Sequence, residues 1–137
     1  MTSSMNGLDL RAISALIATS RDLVAVHDRE FRYILGNPAL ARAIGRNVGD
    51  FPGKTLAEMG FPPQLCERLN AAMQAVRDTA QPGDLAYEAR LVGGTRVLHS
   101  FMNPVHGADG TVQAFLVVTR DTTDHHRAAA VRDSQAQ

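Results

Sequence analysis

Apolar residues recur along this chain with two periods, near 3.6 and at 2, and the switches between them divide it into elements. From Leu8 to Ser20, residues Leu10, Ile13, Leu16 and Ile17 recur at helical spacing on one face, with the polar Asp9 and Arg11 beside them. That spacing predicts an amphipathic helix. Leu23-Val-Ala-Val-His-Asp28 is a short strand-type run, Asp28-Arg-Glu30 reads as a turn, and Phe31, Tyr33 and Leu35 resume at period two. The two runs predict a hairpin. Asn37-Pro38 starts a helix, because the Asn side chain caps free amides and Pro at the first helical position forfeits no needed donor. Gly45 stops that helix. A loop from Arg46 to Gly53 and a single helical turn from Lys54 to Met59 follow. Pro62-Pro63 opens the longest helix, to about Thr79, with Leu65, Leu69, Ala72, Met73 and Val76 as its apolar stripe.

Three strands and a helix close the chain. Leu85, Tyr87, Ala89 and Leu91 alternate with Ala86, Glu88 and Arg90, and Gly93-Gly94 suits a tight turn. The next strand runs from Thr95 to Asn103 and is expected to end at Pro104, which cannot donate to a ladder. After the Gly107-Ala-Asp-Gly110 turn, Val112 to Arg120 is apolar on both faces, as a central strand covered on both sides would be. From Thr122 to about Asp133 an Ala-rich helix carries only Val131 as a strong apolar residue. Alone in water it would be marginal, so it reads as the start of a longer helix or as one docked on a partner. The order is that of an α+β domain.

Composition narrows the function classes. A chain of 137 residues suits one domain, and at that size folding buries roughly 68–70% of the unfolded surface. The basic and acidic residues balance at 14 each, which argues against nucleic acid as a direct partner. The single cysteine, Cys66, forms no internal disulfide and fits a reducing cytoplasm. No apolar run approaches the ~18 residues of a membrane span. Residues 1–7 are polar, lack a signal-peptide core and are expected to be disordered.

Several short pieces, in this order, resemble a PAS sensory domain. They are the strand–turn–strand ending in Asn37-Pro-Ala-Leu40, the Gly53-Lys54 before a short helix, the Asn103-Pro-Val105 strand end, and Asp121-Thr-Thr123. The family often has Ile where Thr122 stands. The resemblance covers roughly Leu23 to Arg127. It implies a five-stranded antiparallel sheet with helices between strands 2 and 3, plus flanking helices at both ends. On that basis the chain divides into a disordered 1–7, an N-terminal dimerisation helix 8–20, a PAS domain 23–121, and a C-terminal signalling helix or linker 122–137. The resemblance also implies that Asp121, Thr122 and Thr123 relay sheet rearrangement to an output domain. Physically, Thr122 or Thr123 can cap the last helix with Asp124 in its first turn. The motif can equally do no more than end a strand and start a helix.

In the family the exit Asp shares a strand face with a pocket. Phe115, Val117 and Thr119 are then expected inward, with Leu98, Ser100 and Met102 beside them. Ala25, His27, Tyr33 and Leu35 would line the first hairpin, and Leu69, Met73 and Val76 the long helix. The facing of Leu85–Leu91 stays open, because turn length sets its register. The result is a mostly apolar cavity with His27, Tyr33, Ser100 and Thr119 as polar tips, which suits a small apolar ligand or a filled core.

No cofactor is expected. Haem-binding members use a His on the long helix, and none lies between His27 and His99. The adduct-forming flavin signature needs a Cys where Val48, or in another alignment Leu56, stands. Cys66 reads as a small buried hydrophobe. No metal is expected either. His99 and His106 lie apart, and His125 and His126 would point about 100° from each other on a helix. Asp124-His-His-Arg-Ala128 lacks a kinase phospho-acceptor context, and Glu58, Glu67 and Glu88 form no acid–base pair, so no enzyme is expected.

Two readings remain. One is a cytoplasmic sensory module of a bacterial-type signalling protein: a two-component histidine kinase, a cyclic-dinucleotide enzyme or a transcription regulator. It would act with an output domain of the same or a partner protein. The other is a ligand-free dimerisation scaffold. A homodimer would use Leu10, Ile13, Leu16 and Ile17. A second apolar surface of Val97, His99, Phe101, Ala114, Leu116 and Val118 would be covered by the first helix or by a partner.

Overall fold

A computed structural model of the chain describes residues 4–5 and 8–135. Its central feature is a five-stranded antiparallel sheet in the order β4-β3-β7-β6-β5. The strands are β3 (Leu23–Asp28), β4 (Tyr33–Gly36), β5 (Gly83–Leu91), β6 (Gly94–His106) and β7 (Val112–Asp121). A small ladder pairs β1 (Ser4–Met5) with β2 (Leu8–Asp9). The helices are α1 (Leu10–Ile17), α2 (Pro38–Ile44), α3 (Pro63–Thr79) and α4 (Thr123–Gln135), with a short 3-10 turn at Val48–Asp50. The α+β class, the sheet and the helices between its second and third strands are as the sequence implies. The expected disorder of 1–7 meets a paired Ser4–Met5, and residues 1–3 and 6–7 lie outside the described residues. The first helix is shorter than expected, since Leu8 and Asp9 belong to β2.

β7 sits mid-sheet between β3 and β6, which explains its apolar character on both faces. One face carries the main core: Ala25, Leu98, Met102, Phe115 and Val117 meet Leu40, Phe51, Leu56, Leu65, Leu69, Met73 and Val76 from the connecting segment. On the other face Val24, Val26 and Ala114 are buried, Leu116 and Val118 half-buried, and Phe101 exposed with the His99 ring stacked 4.2 Å away.

The first hairpin departs from strict alternation. Val26 faces Leu35 and His27 faces Tyr33, so Ile34 is an extra residue in β4. This bulge turns Leu35 to the Val26 side of the sheet while Tyr33 stays with His27. Phe31 is not a strand residue. It takes a left-handed φ of 67° in the turn. Its N–H donates to the Asp28 carbonyl, and its ring lies beneath the Arg77 guanidinium at 4.9 Å.

Asn37 holds this hairpin to its surroundings. It is almost fully buried, at 2% exposure. Its Oδ1 accepts from the Leu40 N–H, capping α2, and from the Val24 N–H, both at 3.0 Å. Its Nδ2 donates to the carbonyls of Ile17 and Asp22. One side chain thus ties the end of α1, the start of β3 and the start of α2 together. At the end of β4, Gly36 lies under the Phe51 ring, where an added Cβ would meet ring carbons at 2.8 Å.

β6 does not end before Pro104 but continues to His106. β5 pairs with β6 only as far as Met102, opposite Gly83, so Pro104 lies where β6 has β7 alone as a neighbour. A missing N–H is tolerated at such an edge.

Candidate functional site

The concave face of the sheet and the helices over it form a partly open cavity of about 40 Å³. Ala25 and His27 of β3, Tyr33 of β4, Leu98, Ser100 and Met102 of β6, and Val117 and Thr119 of β7 line it from below. Leu69 and Met73 of α3 close it from above. Three residues expected there do not line it. Leu35 is turned away by the bulge at Ile34. Val76 lies a turn beyond Met73, packed against Gly83 at the start of β5. Phe115 shares the concave face but lies past the cavity's end, its ring centroid 5.8 Å from that of Phe31.

Other lining residues escaped the sequence reading: Leu23, Leu40, Ile44, Leu56, Phe61, Tyr87 and Leu91. Leu23 was reachable, being one period-two step before Ala25. Leu40 and Ile44 share a helix face at spacing four. Tyr87 and Leu91 needed the hairpin register, which pairs Tyr87 with Leu98 and Leu91 with Gly94. Leu56 and Phe61 lie in irregular chain, where no periodicity points inward.

No Asp, Glu, Lys or Arg lines the cavity, so its polarity comes from neutral groups. The Ser100 hydroxyl lies 2.6 Å from both the Tyr87 hydroxyl and Thr119 Oγ1. The three hydroxyls thus form one hydrogen-bonded cluster. His27 is 3% exposed. Its Nδ1 lies 3.2 Å from the Phe31 carbonyl. A carbonyl only accepts, so Nδ1 carries the proton and Nε2 offers a lone pair. Burial lowers the His27 pKa to about 4, against smaller opposing effects of the Phe31 carbonyl and Asp28, so the ring is neutral at neutral pH.

Tyr33 is held by a strand-like exchange with the Gly53-Lys54 segment. Its N–H donates to the Lys54 carbonyl and its carbonyl accepts from the Gly53 N–H, each at 2.8 Å. Its ring packs on His27 at 4.2 Å and on Phe51 at 4.9 Å. Burial, reinforced by Tyr87 and Cys66, pushes its hydroxyl pKa far up, so it stays protonated. Burial likewise raises the Tyr87 hydroxyl and the Cys66 thiol. The thiol donates to the Phe61 carbonyl at 3.3 Å.

Ile44, Phe61 and Leu91 belong both to the cavity and to an outer groove of about 550 Å³ that includes Arg46, Met59 and Val92. These shared side chains lie between the two. Among the described residues no three of His, Cys, Asp and Glu gather as metal ligands, and no helix is long and apolar enough to cross a membrane.

The second candidate site is the joint where β7 meets α4. β7 pairs with β6 as far as Asp121 opposite Leu98 and then turns off, leaving the backbone of Val97 without its next rung. Thr122 and Thr123 supply that rung. Thr122 donates to the Val97 carbonyl from its N–H at 2.8 Å and its hydroxyl at 3.1 Å, and Thr123 Oγ1 accepts from the Val97 N–H at 2.8 Å. The threonine hydroxyls therefore serve the sheet and do not cap α4. The cap comes from Asp121, whose Oδ1 accepts from the Thr123 N–H and hydroxyl. Its Oδ2 meets Arg96 Nε at 2.7 Å. Partial burial alone would raise the Asp121 pKa, but the bonds from Arg96 and Thr123 outweigh it and hold the carboxyl below its usual value. The expected dimer residues lie on α1, where Leu10, Ile13 and Ile17 are half-buried and Leu16 is 78% exposed.

Comparison with known proteins agrees with this architecture. No curated protein matches the chain in sequence. Among solved structures, a phage VqmA in complex with DPO superposes with a TM-score of 0.76 at 16% identity, over 93% of this chain and 59% of that one. The Vibrio cholerae VqmA dimer in the absence of target DNA gives 0.74 at 20% identity, over 86% and 53%. The chain thus spans a little over half the length of these VqmA proteins. The PAS domain of BvgS from Bordetella pertussis gives 0.72 at 24% identity, over 93% of this chain and 94% of that one. The family model of the PAS fold matches residues 17–127, most of the sequence. The chain belongs to the PAS family.

Proposed function

We propose that this PAS sensory module holds a small, neutral, mostly apolar ligand in its cavity and passes the change to α4 through the Asp121-Thr-Thr123 joint. The observation that carries the reading is a partly open, mostly apolar cavity whose wall holds a few neutral polar groups and no charge. Pockets that fix small molecules have this make-up. Ligand-dependent movement of β6 or β7 would reach Val97 and Asp121, which hold the start of α4. The module binds and does not catalyse. It acts in the cytoplasm, where a lone thiol such as Cys66 stays reduced, within a histidine kinase, cyclic-dinucleotide enzyme or transcription regulator. A VqmA neighbour is described in complex with a ligand and DNA, which supports a regulator of this kind.

Native mass spectrometry of the purified protein and a thermal-shift screen of small neutral compounds of graded size test the reading. A bound small molecule, or a melting temperature raised by one class of compound and unchanged in a cavity-filling Ser100→Leu variant that still folds, is expected. No co-purified ligand and no compound that stabilises would overturn it. A ligand-free dimerisation scaffold is the second reading, favoured by Leu16 standing 78% exposed on an apolar helix face. Loss of a dimer in Leu16→Glu, without any ligand response in the parent, would favour it.

A further inference from the structure

The outer groove beside the cavity joins apolar walls to a cation without a counter-charge. Its volume is about 550 Å³, within the ~300–1,000 Å³ of small-molecule sites. Of the residues that line it, Met59, Leu65 and Ala89 are buried, Ile44, Phe61 and Leu91 are half-buried, and Val92 is 72% exposed. Its charged lining residues are both arginines, Arg46 and Arg90, and no Asp or Glu lines it.

The end of α2 places Arg46. Gly45 takes a left-handed φ of 71°, and the Arg46 N–H donates to the Ala41 carbonyl at 2.9 Å. This closed C-cap sets where the side chain leaves the backbone. The guanidinium lies over Gly60, its Nη2 3.5 Å from where a Cβ on that glycine would stand. Among the described residues it makes no ion pair and no side-chain hydrogen bond. Arg90 differs. It alternates with the buried Ala89 and the half-buried Leu91, so period two sends its side chain to the opposite face of β5.

We propose that the groove binds a small amphipathic carboxylate, its head against Arg46 and its apolar body along Ile44, Phe61, Leu65 and Val92. A guanidinium and a carboxylate match as a fork of two parallel N–H···O bonds. The groove is open, so the head keeps part of its water and the desolvation cost of a buried pair is not incurred. The body takes apolar side chains out of water, Val92 foremost. The inner cavity has the opposite chemistry, since nothing charged lines it. The groove site goes beyond the cavity reading and does not depend on it. Its two halves also set what it refuses. A neutral analogue of equal length gains the apolar contact and lacks the fork. A short carboxylate gains the fork and lacks the contact.

Octanoate, 1-octanol and acetate are the corresponding probes. Titrating each into the 15N-labelled intact protein and following amide shifts reads both affinity and place. Octanoate is expected to saturate with shifts gathered at Gly60, Leu91 and Val92, to bind more tightly than 1-octanol, and to weaken as salt is raised. Acetate is expected to give no saturable shift. Arg46→Gln should lower the octanoate-to-octanol affinity ratio about fivefold, the upper range for an exposed ion pair. Arg42→Gln removes an equal charge from α2 outside the groove and should leave the ratio unchanged. Val92→Ser should weaken both eight-carbon probes alike. Octanol binding as tightly as octanoate, an unchanged ratio in folded Arg46→Gln, an equal fall in Arg42→Gln, or shifts gathered at Ser100 and Thr119 would each overturn the proposal. Absence of octanoate binding removes the groove site and leaves the cavity reading standing.

Discussion

Acid should weaken this fold through His27 in a defined window. The perturbation is protonation of a ring that is 3% exposed. In the unfolded chain the imidazole takes its proton near 6.5, whereas burial holds the folded value at about 4. A histidine with a depressed folded pKa makes the unfolded state bind more protons across that interval. Its effect on stability is therefore absent above about pH 6.5, grows as pH falls through the interval, and levels off below about 4. The full gap corresponds to about 3 kcal/mol, a large share of the 5–15 kcal/mol typical of a domain. Asp28, the nearest acid, moderates the penalty and does not reverse it. Urea unfolding of wild type and His27→Asn, repeated from neutral pH down to about pH 4, isolates the effect. Taking the difference cancels the carboxylates and the other histidines, including His99, which pairs with Asp84 at 2.7 Å. Wild type should lose about 3 kcal/mol relative to the variant across the window. Parallel stability curves would refute the argument and mean that the ring is hydrated or already paired.

Three further outcomes follow from the geometry. Asn37→Ala removes a helix cap and the partners of the Val24 N–H and the Ile17 and Asp22 carbonyls, which should cost about 2–4 kcal/mol in chemical denaturation. A cost under about 1 kcal/mol would mean that water replaces the side chain. Gly36→Ala drives a methyl into the Phe51 ring and should destabilise by about 1–3 kcal/mol, with a changed near-ultraviolet aromatic signal as the accompanying sign. Asp121→Ala removes the α4 cap, worth about 1–2 kcal/mol, and a solvent-screened ion pair with Arg96 that adds little. It should accelerate amide exchange at the start of α4 and alter output in the parent protein more than it lowers the melting temperature. A large stability loss with normal output in the surviving folded protein would count against the relay.

What the sequence disclosed and what it hid divide along physical lines. Continuous apolar runs placed β3 and β7 and alternation placed β5, and period two along β3, β6 and β7 assigned most of the concave face, because alternation is a backbone property. Asn37-Pro38 announced α2 through capping chemistry that is local by nature. The failures lie where one extra residue changes everything after it. Ile34 adds a bulge that no composition rule marks, and Leu35 goes to the far side. Pro104 reads as a stop because its missing donor matters inside a sheet, whereas the end of β5 at Gly83 leaves β6 an edge there. Tyr87 and Leu91 depended on the pairing of β5 with β6, and Leu56 and Phe61 on loop packing, both tertiary facts. The exit motif was legible as a joint, but which hydroxyl did what was not, since that depended on Val97 arriving from a distant strand without its next rung.

That last arrangement carries a mechanical consequence. The fastening between the sheet and α4 rests in large part on the side chains of two threonines and one aspartate, whereas every other seam of the sheet is stitched by amides. Loosening it requires no strand to separate, so grip on the helix can be tuned by small substitutions while the scaffold behind it keeps its full strength.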